Sequence, residues 1–132
     1  MALTHEDLLA SAEAEVTSIE AADAAPLRTD PDTVFVDIRD VRELDRDGMI
    51  PGARHAPRGM LEFWISKASP YHKPWLAEDK TYIFYCASGW RSLLAAQVAQ
   101  KMGLRSMSLR GGYSGWKKSG LETGEREKTP EL

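Results

Sequence analysis

The chain has 132 residues, 42% of them hydrophobic and 28% charged, an ordinary soluble composition that excludes general disorder and suits one domain over 1–132. Lys and Arg total 17 against 20 Asp and Glu, and the net charge of −3 gives no electrostatic reason to expect nucleic acid or anionic lipid as a partner. No apolar stretch approaches the ~20 residues of a membrane span, and the acidic start MALTHEDLLASAEAE lacks the basic and apolar regions of a secretory signal.

Thr4 and Asp7 have the spacing of a capping box with a shorter acid, ahead of Leu8, Leu9 and Ala12, which predicts a helix over 5–14. Val16 to Ile19 reads as a short strand, and Glu20 to Leu27 as a short helix closed by Pro26. A turn at Thr29-Asp30-Pro31-Asp32 leads into Val34-Phe35-Val36-Asp37-Ile38, an apolar run of the kind buried on both faces of a parallel sheet. Val41 to Arg46 reads as a helical turn broken by Gly48 and Pro51-Gly52, and Ala53 to Ala56 as a weak strand. Met60, Leu61, Phe63, Trp64 and Ile65 suggest a helix, which Ser69-Pro70 and Lys73-Pro74 break; Phe63, Trp64, Tyr71 and Trp75 are expected in the core, and His72 at the surface. Tyr82-Ile83-Phe84-Tyr85 is the strongest strand and runs straight into Cys86. Ser92 to Met102 reads as an amphipathic helix with Leu94, Val98 and Met102 as its stripe and Gly103 at its C′ position. A last strand at Met107 to Leu109 is followed by Gly111-Gly112 and a helical turn through Trp116, expected in the core; the charged tail 125–132 is expected to fray.

Strands alternating with helices predict an α/β fold, a mostly parallel sheet with helices on both faces. Ligands in such sheets sit beyond the carboxyl ends of the strands, where Cys86 stands. It is the single cysteine, which excludes an intramolecular disulfide framework and a multi-cysteine zinc site; His5, His55 and His72 are scattered, so no metal site is expected, and a reducing, cytoplasmic compartment is. The segment Cys86-Ala87-Ser88-Gly89-Trp90-Arg91 joins the strand to a helix. Curled on itself, such a loop turns successive N–H groups inward. The helix start and the forked Arg91 side chain add positive potential, and all three effects favour thiolate over thiol. A lone cysteine after an apolar strand is often a small buried hydrophobe. The order strand, Cys, Gly, Arg, helix favours a functional one.

Cys86 to Arg91 resembles the active-site loop of the rhodanese-like (thiosulfate sulfurtransferase) domains. Val36-Asp37-Ile38-Arg39 with Glu43, and Gly48-Met49-Ile50-Pro51-Gly52-Ala53, are similar to that family's upstream signature; Leu109-Arg110-Gly111-Gly112 with Trp116 and Gly120 is similar to its closing one. The resemblance spans about residues 16 to 124. The family often has His where Met49 stands and a charge where Ala87 stands. It implies five parallel strands flanked by helices, with Cys86 at the base of a shallow pocket. Cys86 would take sulfane sulfur from a donor such as thiosulfate, hold it as a persulfide within Ala87, Ser88, Gly89, Trp90 and Arg91, and pass it to cyanide or a thiol. No metal or organic cofactor is needed. Asp37 is the position expected to orient the loop through hydrogen bonds, and Arg58 is a candidate contact for a substrate anion. Arg39 and Arg42 are expected to pair with local acids, and Glu43 with a nearby arginine.

Two other functions compete. A sulfur-carrier or docking module for a protein acceptor is suggested by the neutral Ala87 and by the aromatic segment 63–75. Cysteine-dependent phosphatases and arsenate reductases use a related fold, but their loops hold one more residue between Cys and Arg than the four here.

Overall fold

The computed structural model describes residues 2–126. In chain order these form α1 (His5–Glu15), β1 (Thr17–Ile19), α2 (Ala21–Ala24), β2 (Thr33–Asp37), α3 (Val41–Asp47), β3 (Arg54–His55), α4 (Leu61–Ile65), β4 (Thr81–Tyr85), α5 (Trp90–Lys101), β5 (Arg105–Leu109) and α6 (Gly112–Lys118). Short 3-10 turns occupy Ala25–Thr29, Arg58–Met60 and Pro74–Ala77. The strands make one sheet in the order β1-β5-β4-β2-β3, with every pair parallel. Val36, Ile83 and Phe84 at its centre are wholly buried, as continuous apolar strands in a parallel sheet require.

The pleat sends successive β4 side chains to opposite faces. Tyr82, Phe84 and Cys86 join the core against α4 and α5, whereas Ile83 and Tyr85 join the core against α2 and α6. Helices thus cover both faces. α1 stacks outside α5: Ala12 is buried, and the side-chain amide of Gln97 donates to Glu15 at 2.6 Å and to Ser11 at 3.1 Å. The capping box forms, with the Thr4 N–H donating to Asp7 and the Asp7 N–H to the Thr4 hydroxyl.

Three local expectations change. Pro26 does not close a helix; it sits in the first turn of the 3-10 segment that follows α2, where a missing N–H costs nothing. α5 begins at Trp90, and the face it buries is Ser92, Ala95, Ala96 and Ala99 rather than the Leu94, Val98 and Met102 stripe. Small side chains let the helix lie close on β4 and β5, while the larger residues flank the contact. The aromatics of 61–76 divide: Trp64 and Trp75 pack on the core, and Phe63 and Tyr71 are exposed. Trp116 is fully buried, its indole N–H donating to the Glu122 carbonyl at 2.7 Å. Of the charged tail, 127–132 lies outside the described residues.

Candidate active site

β4 ends at Tyr85, and the chain turns at once through Cys86, Ala87, Ser88 and Gly89 into α5. Gly89 adopts φ +112°, a left-handed conformation that a side chain would strain. That turn aims its N–H at the Cys86 sulfur, 3.1 Å away. The backbone N–H groups of Ala87 and Ser88 have no acceptor among the described residues. The first-turn donors of α5 add to them, since helix geometry supplies no partner there. Cys86 itself is 1% exposed, with the Gly89 N–H on its sulfur.

The loop holds this shape because α6 closes on its outer side. Tyr113 N–H donates to the Cys86 carbonyl at 2.8 Å and Ser114 N–H to the Ala87 carbonyl at 3.0 Å. Both carbonyls are thus engaged by α6, which leaves the loop's N–H groups for the interior. Such close approach requires glycine: a Cβ on Gly112 would meet Ala87 C and O and Cys86 O, each at 2.7 Å. The Gly-Gly of the closing signature is the contact that shapes the loop.

Arg91 lies at the rim. Its guanidinium forks onto Glu43 of α3, at 2.9 and 3.0 Å. This hydrogen bond holds Arg91 above the ordinary arginine range, against some desolvation, and the Cys86 sulfur adds further attraction. The same bond holds the Glu43 carboxyl below the usual glutamate range. Glu43 also accepts from the Asp40 N–H, closing a capping box with the Asp40 side chain. The expected arginine partner of Glu43 is therefore Arg91, and the pair ties the loop to α3. Trp90, the neighbouring residue, is 61% exposed and stands 5.6 Å, centroid to centroid, from the ring of His5 at the start of α1.

Asp37 and Arg39 form a buried pair at the end of β2. The Asp37 carboxylate accepts from the Arg39 backbone N–H at 3.0 Å and from its guanidinium at 2.7 to 3.2 Å. All of these bonds come from Arg39, so Asp37 anchors that side chain rather than a loop N–H. Burial opposes the Arg39 charge, but the Asp37 bond and charge outweigh it and hold Arg39 above its ordinary range. The guanidinium also donates to the Gly48 carbonyl at 2.7 Å and lies 4.5 Å from the Tyr113 ring centre. It thereby joins β2 to the 48 turn and to α6. Arg42 pairs with Asp40 at the surface. Arg58 is half-buried and pairs with Glu62 at 2.8 Å, one turn along.

Two buried residues at the site carried no warning in the sequence. Ser92, in the first turn of α5, places its hydroxyl 3.7 Å from the Cys86 sulfur and donates to the Gly89 carbonyl at 3.1 Å. Ser108 of β5 lies 2.8 Å from Ser92, hydroxyl to hydroxyl. Ser92 was legible only as a polar residue within an apolar helix pattern. Ser108 became visible only when the sheet order set β5 beside β4.

The chain is similar to several known proteins. A solved protein from Rhodopseudomonas palustris, described as of unknown function and a possible tyrosine phosphatase, has a TM-score of 0.90 at 44% identity, covering 93% of this chain and 96% of that one. A sulfurtransferase from Allochromatium vinosum is 33% identical over 91 residues, or 68% of this chain and 77% of that protein. A tRNA sulfurtransferase from Desulfurococcus amylolyticus is 34% identical over 91 residues, which make up 69% of this chain and 16% of that protein. The rhodanese-like domain matches residues 20–119, well over half of the sequence, and the chain belongs to that family.

Proposed function

We propose that the protein is a sulfurtransferase that carries sulfane sulfur as a persulfide on Cys86. The Cys86 thiolate attacks the outer sulfur of a donor such as thiosulfate. The donor's S–S bond breaks, sulfite leaves with the electron pair, and the transferred sulfur stays on Cys86 bearing the negative charge. Cyanide or a thiol then takes that sulfur and regenerates the thiolate. A covalent intermediate divides one difficult transfer into two displacements. Neither displacement needs a metal or an organic cofactor, and a reducing cytoplasm would keep the thiol available.

The observation that carries this reading is the Gly89 N–H on the Cys86 sulfur, with two further loop N–H groups left without an acceptor among the described residues. Gly89 already donates to Sγ, and the donors of Ala87 and Ser88 have no acceptor among the described residues, so an anionic outer sulfur lodged in the loop would gain hydrogen bonds from them. Arg91 supplies the positive charge at the rim, and Arg58 stands beyond β3 as a second candidate contact for a donor anion. The description of the Rhodopseudomonas palustris protein points instead to phosphate esters. Four residues between Cys86 and Arg91 make a tighter ring than a phosphatase loop with five, and the loop itself contains no acid to protonate a leaving alcohol.

A protein acceptor for the persulfide sulfur is the second reading. It is favoured by the exposed Trp90 beside the loop and by the exposed Phe63 and Tyr71. The test of the first reading is the intact mass after incubation with thiosulfate. Wild-type protein gains one sulfur atom that cyanide removes, and Cys86→Ser gains none; sulfur gained equally by the variant would overturn the assignment.

A further inference from the structure

Ser92 and Ser108 are buried beside the Cys86 sulfur, at 0% and 1% exposure. Their protons can be assigned by elimination. The one hydrogen-bond partner of the Ser108 hydroxyl among the described residues is Ser92 Oγ. If Ser92 donated to Ser108, the Ser108 proton would be buried without an acceptor among the described residues, whereas the Gly89 carbonyl keeps the Leu93 N–H at 3.2 Å whichever way Ser92 turns. Ser108 therefore donates and Ser92 accepts. The Ser92 proton is left with two seats, the Gly89 carbonyl at 3.1 Å and the Cys86 sulfur at 3.7 Å.

We infer that Ser108 is a positioning residue for the sulfurtransferase reaction proposed above: it fixes Ser92 as a donor whose proton follows the negative charge on and off Cys86 Sγ. When the sulfur is a neutral thiol, its S–H points to Ser92 Oγ and the Ser92 proton rests on the Gly89 carbonyl. When Sγ is anionic, the Ser92 proton swings to it and joins the Gly89 N–H. In the persulfide the charge has moved one bond outward, Sγ is neutral, and the proton returns to the carbonyl. The hydrogen bond accepted from Ser108 polarises the Ser92 O–H in every state.

The consequence falls on one half of the reaction. In discharge to cyanide, the carbon lone pair forms the new C–S bond to the outer sulfur. The S–S bond breaks with its pair remaining on Sγ, and thiocyanate leaves. Negative charge thus returns to the atom that Ser92 serves. The pair stabilises thiolate relative to persulfide, and weakening it favours the loaded form.

The test is an equilibrium, not a rate. Wild type, Ser108→Ala, Ser108→Thr and Ser92→Ala are brought to equilibrium with a fixed ratio of thiosulfate to sulfite, and the persulfide and thiol forms are counted by intact mass. Losing one net hydrogen bond should raise the persulfide-to-thiol ratio roughly three- to tenfold in Ser92→Ala, with a smaller rise in Ser108→Ala. Ser108→Thr keeps the hydroxyl and should stay near wild type. A damaged loop would lose the N–H groups that hold the outer sulfur and would lower the ratio, the opposite direction, and circular dichroism checks the fold independently. An unchanged ratio in folded Ser108→Ala would overturn the inference. If wild type gains no sulfur at all, it is the sulfurtransferase reading that falls. Alkylation of Cys86 by iodoacetamide at fixed pH then decides the serine pair: slower reaction in Ser108→Ala with recovery in Ser108→Thr supports it, and equal rates overturn it.

Discussion

The loop around Cys86 has a floor and a rim, and the two are built from different physics. The floor is backbone: α6 donates two N–H groups to the carbonyls of Cys86 and Ala87 across a contact that only glycine permits, and the buried Asp37–Arg39 pair braces the elements around it. The rim is charge: Arg91 forks onto Glu43 in an ion pair that reaches water. Buried contacts with no slack set geometry and carry stability. Solvated ion pairs contribute little to stability, because water screens them. The comparison teaches that shape and charge in this site are separable. Damage to the floor should abolish the fold and the activity together, whereas damage to the rim should reach the activity alone.

The largest effect is expected at Gly112. Gly112→Ala would drive a methyl into three backbone atoms at 2.7 Å and strain a residue at φ +59°. The expected loss is about 3 kcal/mol, with sulfur loading lost in parallel. Denaturant melts and mass spectrometry of the same sample check it; a variant of wild-type stability would show that the close approach is not a constraint. Arg91→Ala should do the reverse. Its melting midpoint should stay close to wild type, while loading from thiosulfate slows by roughly tenfold for the lost charge-assisted contact. Arg91→Lys should recover part of that, since a point charge lacks the planar fork. Equal loading by Arg91→Ala and wild type would remove Arg91 from the donor's path.

The smallest effect sharpens the rim itself. Glu43 is held below the usual glutamate range chiefly by the Arg91 hydrogen bond. A carboxyl lowered in the folded state contributes stability above its unfolded value and loses it as the pH falls through the folded one. The Glu43–Arg91 tie should therefore survive acidification past about pH 4.3, where free glutamates protonate, and open only below that. The carboxyl carbon shift of Glu43 in an NMR titration reports it. A midpoint at or above the ordinary value would mean that the bridge does not persist in solution.

The sequence showed the floor's parts without showing how they meet. Val34 to Ile38 and Tyr82 to Tyr85 were legible as buried parallel strands because neither carries polar alternation, and that placed Cys86 at a carboxyl end before any resemblance was considered. Gly111-Gly112 could be recognised as a signature, but its reason, an overlap with the loop carbonyls, exists only between segments distant in the chain. The buried face of α5 differs from the expected stripe because periodicity ranks residues by hydrophobicity, whereas close helix-on-sheet packing selects alanine. Ser108 stands between Met107 and Leu109, where an alternating pattern reads it as the solvent-facing residue of a half-buried strand, yet it is buried. The segment 61–76 resisted reading because its aromatics serve two environments, Trp64 and Trp75 inward and Phe63 and Tyr71 outward, so no single period fits.

The central claim is that this loop is sized and charged for sulfur rather than for phosphate. The most direct measurement sets both reactions side by side on the unmodified protein: sulfur transfer from thiosulfate to cyanide, with intact mass read between the two steps, and hydrolysis of an aryl phosphate. One sulfur atom bound per chain, its release as thiocyanate, and negligible phosphate hydrolysis are the expected results. Efficient phosphate turnover by a protein that never gains sulfur would contradict it.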